Sequence, residues 1–362
     1  MRVHVVDPPA YTPAYDHALC TALAAFGVDV ELITSRFAYG LVPEPAGYVR
    51  RELFYRAAGG AGRARRAVRL AEHVPNMLRY RVAAREADVV HFQWLPLPGV
   101  DRHLLPSGRP LVITAHDILP RERVAGSHGA QRRLYGEFDA VIAHSQAGRA
   151  RLIDDAGLDP ARVHVIPHGA FAHLAQLPQA PLPPELTPTT MPVVLYFGLL
   201  RPYKGLDVLL EAWNGIADAE LWVVGRPRFD VSRLRASAGA SVRWVPRYVS
   251  DLELAACFRR ADLVVLPYRE VEQSGVLATA LAFGSPLLAS DVGGFGEVAQ
   301  AGAARLVPPA DAPALHDALV ELLADAGERE RLAAAASALA AGAASWERVA
   351  SQTAALYATL VS

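Results

Sequence analysis

The stretch Val193-Val194-Leu195-Tyr196-Phe197-Gly198-Leu199-Leu200-Arg201-Pro202-Tyr203-Lys204-Gly205-Leu206-Asp207-Val208-Leu209-Leu210-Glu211-Ala212 decides how the rest of the chain is read. It opens on a continuous apolar run, the pattern of a strand covered on both faces. Gly198 then lets the backbone turn tightly and approach a ligand closely. From Leu206 onward the apolar residues recur at helical spacing. Lys204 and Gly205 stand where that helix begins, so free amide donors and a cation converge on one spot, which suits a phosphate. An ordinary strand–turn–helix has the same outline, and the surrounding sequence has to decide between the two.

Working outward, the same unit repeats. Apolar β-branched runs occur at Val3–Val6, Val28–Ile33, Val89–Phe92, Leu111–Thr114, Ala140–Ala143 and Val163–Ile166, each followed by a helical pattern. A second series follows at Val193–Phe197, Glu220–Val224, Val242–Val245, Leu263–Leu266, Pro286–Ala289 and Ala304–Val307. Strand–helix alternation through both series predicts an α/β protein of two Rossmann-like, doubly wound domains. Six prolines within residues 178–192 mark the composition break. Proline fixes φ and removes a donor, so this stretch is predicted to be the interdomain linker. The expected division is 1–177, the linker 178–192, and 193–345. The cleft between the carboxyl ends of the two sheets is the expected binding place. Residues 346–362 have amphipathic helical spacing through Trp346, Val349, Thr353, Leu356 and Tyr357, and are placed as a helix that can pack back on the first domain.

Bulk properties bound the function. A chain of 362 residues suits two domains, and 52% hydrophobic with 20% charged residues describes a globular protein. A formal net charge of −1 excludes a general affinity for nucleic acid. Cys20 and Cys257 suggest neither a disulfide framework nor a zinc site. No leader-like apolar segment follows Met1, and no run reaches membrane-spanning length, so a cytoplasmic location is expected. One region departs from neutrality. Residues 46–87 hold ten arginines (50, 51, 56, 63, 65, 66, 69, 79, 81 and 85) against Glu52, Glu72 and Glu86, a formal +7 interleaved with apolar residues. Such a surface suits an anionic membrane, an acidic acceptor, or merely a solvated helix face.

Several motifs in a fixed order then resemble one family. They are Gly-x-Leu-x-x-x-Lys-Gly from Gly198 to Gly205, the strand end Val223-Val224-Gly225, Tyr248-Val249-Ser250-Asp251, Ala261–Tyr268, and Ala282–Gly294. Together they are similar to the retaining glycosyltransferases of family 4, glycosyl transferases group 1, with the GT-B fold. The resemblance covers nearly the whole chain. It implies transfer of a sugar from a nucleoside-diphosphate-sugar to a hydroxyl acceptor: a glycan, a glycolipid or a natural product. It implies no cofactor beyond that donor. Neither an Asp-x-Asp motif nor a His/Cys cluster is present to hold a metal, so none is expected.

The resemblance carries over residue by residue. Gly198, Lys204, Gly225, Gly293 and Gly294 fall on the donor-phosphate side, Tyr248 and Val249 on the base. Glu272, with Ser274, Gly275 and Val276 behind it, falls near the donor sugar, with Glu270 a competitor for its role. His116, at the end of Leu111–Thr114, falls near the reacting centre. Two departures stand out. Leu199 occupies the place of an arginine, which moves the phosphate contact onto Arg201. The family's second glutamate is absent, so ribose recognition is either weaker or comes from another group such as the Thr279 hydroxyl. In the first half the usual paired-glycine loop is replaced by Asp7–Asp16, where Tyr11, Tyr15 and Asp16 are expected either to shape an acceptor site or to form a rigid surface loop. Ser145 and His168-Gly169 are expected to line the cleft, and His91 and Gln93-Trp94, which end another strand, are candidates to meet an acceptor.

The implied mechanism has Arg201, Lys204 and the amides at Gly293-Gly294 meeting the charge of the leaving diphosphate, while that phosphate takes the acceptor's proton. Two other readings stay open at this level: a nucleotide-sugar-binding protein of weak activity, and a sugar-nucleotide epimerase on the same fold.

Overall fold

The computed structural model describes residues 1–37, 42–57, 62–118 and 127–362; of these, the side chains of residues 62–64, 66 and 127 lie outside the description. Arg63 and Arg66 of the basic stretch are therefore outside it as well. The described chain divides into two compact units, Met1–Gly169 with Trp346–Ser362, and Ala170–Ser345.

The first unit contains strands β1 (Arg2–Asp7), β2 (Asp29–Ser35), β3 (Val49–Phe54), β4 (Val89–Phe92), β5 (Leu111–Thr114), β6 (Ala140–Ala143) and β7 (Val163–Val165). Its helices are α1 (Pro13–Ala25), α2 (Gly62–Ala83), α3 (Pro98–Asp101), α4 (Ser127–Tyr135) and α5 (Gln146–Asp154). The parallel sheet has the order β3-β2-β1-β4-β5-β6-β7. The second unit contains α6 (Ala172–Ala175), β8 (Val193–Phe197), α7 (Leu206–Ala212), β9 (Glu220–Val224), α8 (Ser232–Ser237), β10 (Val242–Val245) and α9 (Asp251–Arg260). It continues with β11 (Leu263–Leu266), α10 (Gly275–Ala282), β12 (Leu287–Ser290), α11 (Phe295–Gln300), β13 (Ala304–Val307), α12 (Ala312–Ala324) and α13 (Ala326–Ala341). Its sheet order is β10-β9-β8-β11-β12-β13, again parallel. The chain ends in α14 (Trp346–Val361).

Each predicted apolar run is a strand within two residues of its expected ends. In the second sheet the alternate residues Val193 and Leu195 face one buried core, while Val194 and Tyr196 face the other. Helices cover both faces, which is why these strands read as unbroken apolar runs. Strand β3 was not expected. Its sequence, Val-Arg-Arg-Glu-Leu-Phe, lies at the sheet edge, where one side of the strand needs no partner and charge is tolerated. Arg51 there lies 2.8 Å from the buried Glu31 carboxylate of β2.

The domain boundary differs from the sequence reading. It falls at Gly169/Ala170, so residues 170–177 and the proline-rich stretch 178–192 belong to the second unit. The Ala170 amide donates to Ala344 O (2.8 Å) and the Phe171 amide to Ala278 O (3.3 Å). Leu186 is buried in the second unit's core. Prolines leave carbonyls without matching N–H groups, and arginines meet that demand. Arg259 donates to the carbonyls of Ala175, Leu177 and Pro178, and Arg260 to those of Thr189 and Met191. The stretch is thus bound onto the unit it precedes.

Helix α14 belongs to the first unit. The Tyr357 hydroxyl is 2.6 Å from His91 Nδ1 at the end of β4. Within each sheet, successive strands run outward in opposite directions from a switch point, β1/β4 in the first and β8/β11 in the second. Ligands of such sheets bind outside the carboxyl ends at that point.

Candidate functional site

In the second unit the switch point is built from glycines that bring backbones together. Gly198 follows β8 at φ +110°, and a β-carbon there would lie 2.9 Å from Val276 Cγ2 and 3.1 Å from Lys204 Nζ. Gly225 follows β9, and a β-carbon on it would stand 1.8 Å from the Gly198 carbonyl oxygen. Gly293, at φ +53°, would place one 1.9 Å from Val271 O and 3.5 Å from Glu272 O. The Gly198 and Gly225 turns therefore lie against each other, Gly198 lies against the start of α10, and Gly293 lies against the loop that leads into α10; a side chain on Gly225 or Gly293 would force backbone apart.

Lys204 ends the short turn Pro202–Lys204 and is buried, 8% exposed. Its ammonium lies beside Gly198 and 4.9 Å from the centre of the Tyr268 ring, whose face attracts a cation. The turn is held from behind by Arg269, which the sequence reading missed. Arg269 donates to both carboxylate oxygens of Asp207 (2.8 and 2.7 Å) and to Pro202 O (2.9 Å), and its amide donates to Tyr203 O (2.8 Å). This contact pushes the Asp207 carboxyl below its ordinary range. An acidic residue in the first turn of α7, facing the residues that follow β11, was the available signal.

The other expected donor residues divide. Arg201 is exposed beside Lys204, with an extended backbone. Glu272 is half-buried in the loop packed on Gly293. Ser274 caps α10 by accepting from the Leu277 amide (3.3 Å), and Gly275 and Val276 form the helix's first turn. Gly294 precedes α11. Tyr248 is 54% exposed, whereas Val249 is buried in the core, so of the two only the tyrosine ring is open for stacking. Thr279 corrects the sequence reading: it is buried, and its hydroxyl donates to Gly275 O (2.8 Å) inside α10, so that donor is not available to a ribose.

In the first unit the carboxyl ends carry Asp7, Gln93-Trp94, His116, His144 and His168. His116 is buried, stacked on Trp94 at 13° and 5.1 Å, and 2.9 Å from Gln93 Oε1 through Nε2. His144 Nε2 is 3.4 Å from His116 Nδ1. Tyr15 sits edge-on to His116 (4.8 Å), His168 (5.0 Å) and Trp346 (5.1 Å). Burial pushes these imidazoles down, His116 well below the usual value, His144 to about 4, His91 and His168 to about 3. They are neutral at pH 7, so His116 can exchange hydrogen bonds but brings no charge.

Several first-unit expectations change. Tyr15 and Asp16 are buried and only Tyr11 reaches the surface, 61% exposed and edge-on to Trp94. His91 is committed on both nitrogens, to Tyr357 and to Thr114 Oγ1 (2.7 Å). Ser145 caps α5, accepting from the Gly148 amide. The loop after β1 closes on a buried carboxyl pair. Thr12 donates its amide to Asp7 (3.2 Å) and its hydroxyl to Asp16 (3.3 Å), while the Trp94 indole donates to Thr12 Oγ1 (3.0 Å). Burial raises both carboxyls, Asp7 to about 6 against the hydrogen bonds that pull it down, and Asp16 is raised further by the charge of Asp7 and the hydrogen bond to it. Among the described residues no cluster of His, Cys, Asp and Glu is arranged to hold a metal ion, and no helix is long and apolar enough to cross a membrane.

Known proteins resemble the chain along most of its length. Residues 15–170 match the family described as Glycosyltransferase Family 4, and residues 191–325 match Glycosyl transferases group 1. A phosphatidyl-myo-inositol mannosyltransferase of Mycobacterium leprae is 34% identical over 75% of this chain and 74% of its own. Among solved structures, a sucrose-phosphate synthase from Thermosynechococcus elongatus superposes with a TM-score of 0.78 at 21% identity, covering 99% of both chains. The Anabaena protein HepE in complex with UDP-glucose gives 0.76 at 20% identity, covering 99% of this chain and 100% of its own.

Proposed function

The chain belongs to the family 4 glycosyltransferases, glycosyl transferases group 1, with the GT-B fold, and from that premise we propose that it moves a sugar from a nucleoside-diphosphate donor to a hydroxyl acceptor with retention at the anomeric carbon. The observation that carries this reading is the seat of Lys204, a buried ammonium held beside the open backbone of Gly198. A cation at the carboxyl end of a parallel sheet, beside its switch point, suits an anionic ligand. A diphosphate fits. As the bond from the anomeric carbon to the diphosphate breaks, charge grows on the leaving oxygen, where Lys204, Arg201 and the amides at Gly293-Gly294 stabilise it. The acceptor oxygen forms the new bond on the same face, and its proton passes to the leaving phosphate. These cations supply the counter-charge, so the reaction as proposed needs no metal.

Glu272, on the loop packed against Gly293, is assigned to the donor sugar's hydroxyls, and Tyr248 to the base. The first unit provides the acceptor side, with His116 as a neutral hydrogen-bonding group. The relatives' names suggest the substrates to try: a phosphatidyl-myo-inositol acceptor for the Mycobacterium leprae enzyme, and UDP-glucose for HepE. We further propose a cytoplasmic enzyme working at an anionic membrane surface. What supports the membrane is α2, where Leu70, Val74, Leu78 and Val82 are exposed at four-residue steps among Arg69, Arg79 and Arg81.

The test is incubation with GDP-mannose or UDP-glucose and phosphatidylinositol or short glycan acceptors. Nucleoside diphosphate and a glycosylated product are expected, and the anomeric proton coupling should show retention. Donor binding without any turnover, or inversion at C2 of an unconsumed donor, would sink the proposal.

A further inference from the structure

The loop after β9 carries two arginines that the donor site described above does not use. The register of β8 on β9 ends with Phe197 opposite Val224, and the next bridge, Leu200 opposite Pro227, keeps the same offset. The Leu200 amide donates to Arg226 O (3.0 Å) and the Arg228 amide to Leu200 O (2.9 Å), so the ribbon continues beyond the sheet. In this register Gly198 faces Gly225, Leu199 faces Arg226, and Arg201 faces Arg228.

Side chains alternate along such a ribbon. Leu200 is fully buried and Arg201 has φ −130° and ψ 150°, so Arg201 falls on the opposite face, together with Leu199, Arg226 and Arg228. Lower on the same strands that face carries Phe197 and Val224, which pack in the core shared by Val249 and Val276. The arginines therefore stand on the side of the sheet where α10 begins. All three are exposed, and among the described residues their guanidinium groups make no ion pair or hydrogen bond. Their neighbours differ: Arg243 pairs with Glu220, Arg247 with Glu253 and Arg269 with Asp207. The nearby Asp230 is turned to the Ser232 amide (2.9 Å). Like charges set opposite one another on neighbouring strands destabilise the pairing. Pro227, with φ fixed, nevertheless holds the pair in place next to Lys204. An anion offering several oxygens resolves the repulsion, and a guanidinium fork engages two of them at once.

We propose that Arg226 and Arg228 form, with Arg201, a guanidinium clamp on the phosphate oxygens of the donor's diphosphate, Arg226 reaching in from across the ribbon where position 199 is leucine. This rests on the reading of the Lys204 loop as the diphosphate seat.

Calorimetric titration of UDP, GDP and inorganic pyrophosphate into the wild type, Arg226→Ala/Arg228→Ala and Lys204→Ala separates the two ideas. The double variant should bind the preferred nucleotide and pyrophosphate at least tenfold more weakly, while uridine or guanosine affinity stays within twofold. The Arg→Lys pair should recover part of the loss. Both positions are exposed, so the thermal midpoint should not move. If the double variant keeps its diphosphate affinity while Lys204→Ala loses it, the clamp is wrong and the Lys204 seat stands. If both variants keep it, or the wild type binds none of the three, both readings fall. An equal loss for nucleoside and diphosphate would mean a structural role and would also overturn the clamp.

Discussion

A β-carbon on Gly225 would stand 1.8 Å from the carbonyl oxygen of Gly198, so the ends of β8 and β9 meet backbone to backbone. Gly225 also sits at φ +143°, a conformation that other residues adopt only with strain. Gly225→Ala should lower stability by about 1–3 kcal/mol through that strain alone. It should also separate the two loops and weaken binding of UDP or GDP at least tenfold. Thermal unfolding and titration check both, and an alanine variant that melts and binds like the wild type would show that the two loops do not need this contact.

Arg269 acts through the loop it holds. Its pair with Asp207 is partly exposed, so its loss should cost stability only about 0–1 kcal/mol. Arg269→Ala frees the Pro202 carbonyl and the first turn of α7, and with them the setting of Lys204. The expected result is a donor KM raised several-fold with kcat changed less than twofold, and partial rescue by Arg269→Lys. A fall in kcat at unchanged KM would contradict a positioning role.

The buried histidines make the first unit acid-labile. His91, His144 and His168 have pKa values of about 3 to 4 in the folded protein against 6.5 for the free side chain. Below 6.5 the unfolded chain binds protons that the fold refuses, so stability is full above that value and falls as pH drops toward 4. Asp7 works in the opposite sense. Its raised pKa, about 6 against 3.8, contributes stability at pH 4 that is lost as pH rises through 6, and Asp16 is raised as well. Three or more histidines outweigh the pair. The thermal midpoint should therefore fall steadily from pH 7 to pH 5, and Asp16→Asn should make that fall steeper. A midpoint unchanged over this range would contradict the burial of the histidines.

Helix α2 offers a test of membrane attachment. Leu70 is 60% exposed and Leu78 48%. Leu70→Ser/Leu78→Ser should reduce cosedimentation with phosphatidylglycerol vesicles at least threefold, while neutral phosphatidylcholine vesicles should retain little of either protein. Equal binding of wild type and variant would remove α2 from the interface.

What the sequence made legible follows from how each feature is encoded. Strands such as Val193–Phe197 and Leu263–Leu266 are buried on both faces and announce themselves as apolar runs. Val49–Phe54 does not, because an edge strand can carry Arg50, Arg51 and Glu52. The prolines of 178–192 correctly excluded helix and ladder, but what binds that stretch is a set of carbonyl acceptors for Arg259 and Arg260, far away in sequence. In the site, Lys204 and the glycines were visible as local motifs. Arg269 and the Arg201–Arg228 register were not, since each depends on a partner brought in by the sheet. The hydroxyl of Thr279 looked available only because its helix was not yet in view.

In the proposed reaction the Lys204 loop holds the donor's diphosphate during sugar transfer. Initial rates of transfer from the accepted donor, UDP-glucose or GDP-mannose, measured for wild type and Lys204→Ala under identical conditions, test it most directly. Losing a buried charge-assisted contact of about 2.7 kcal/mol or more predicts a fall in kcat/KM of at least a hundredfold, with the variant still folded. A Lys204→Ala enzyme that transfers sugar at the wild-type rate would mean that this loop does not hold the diphosphate.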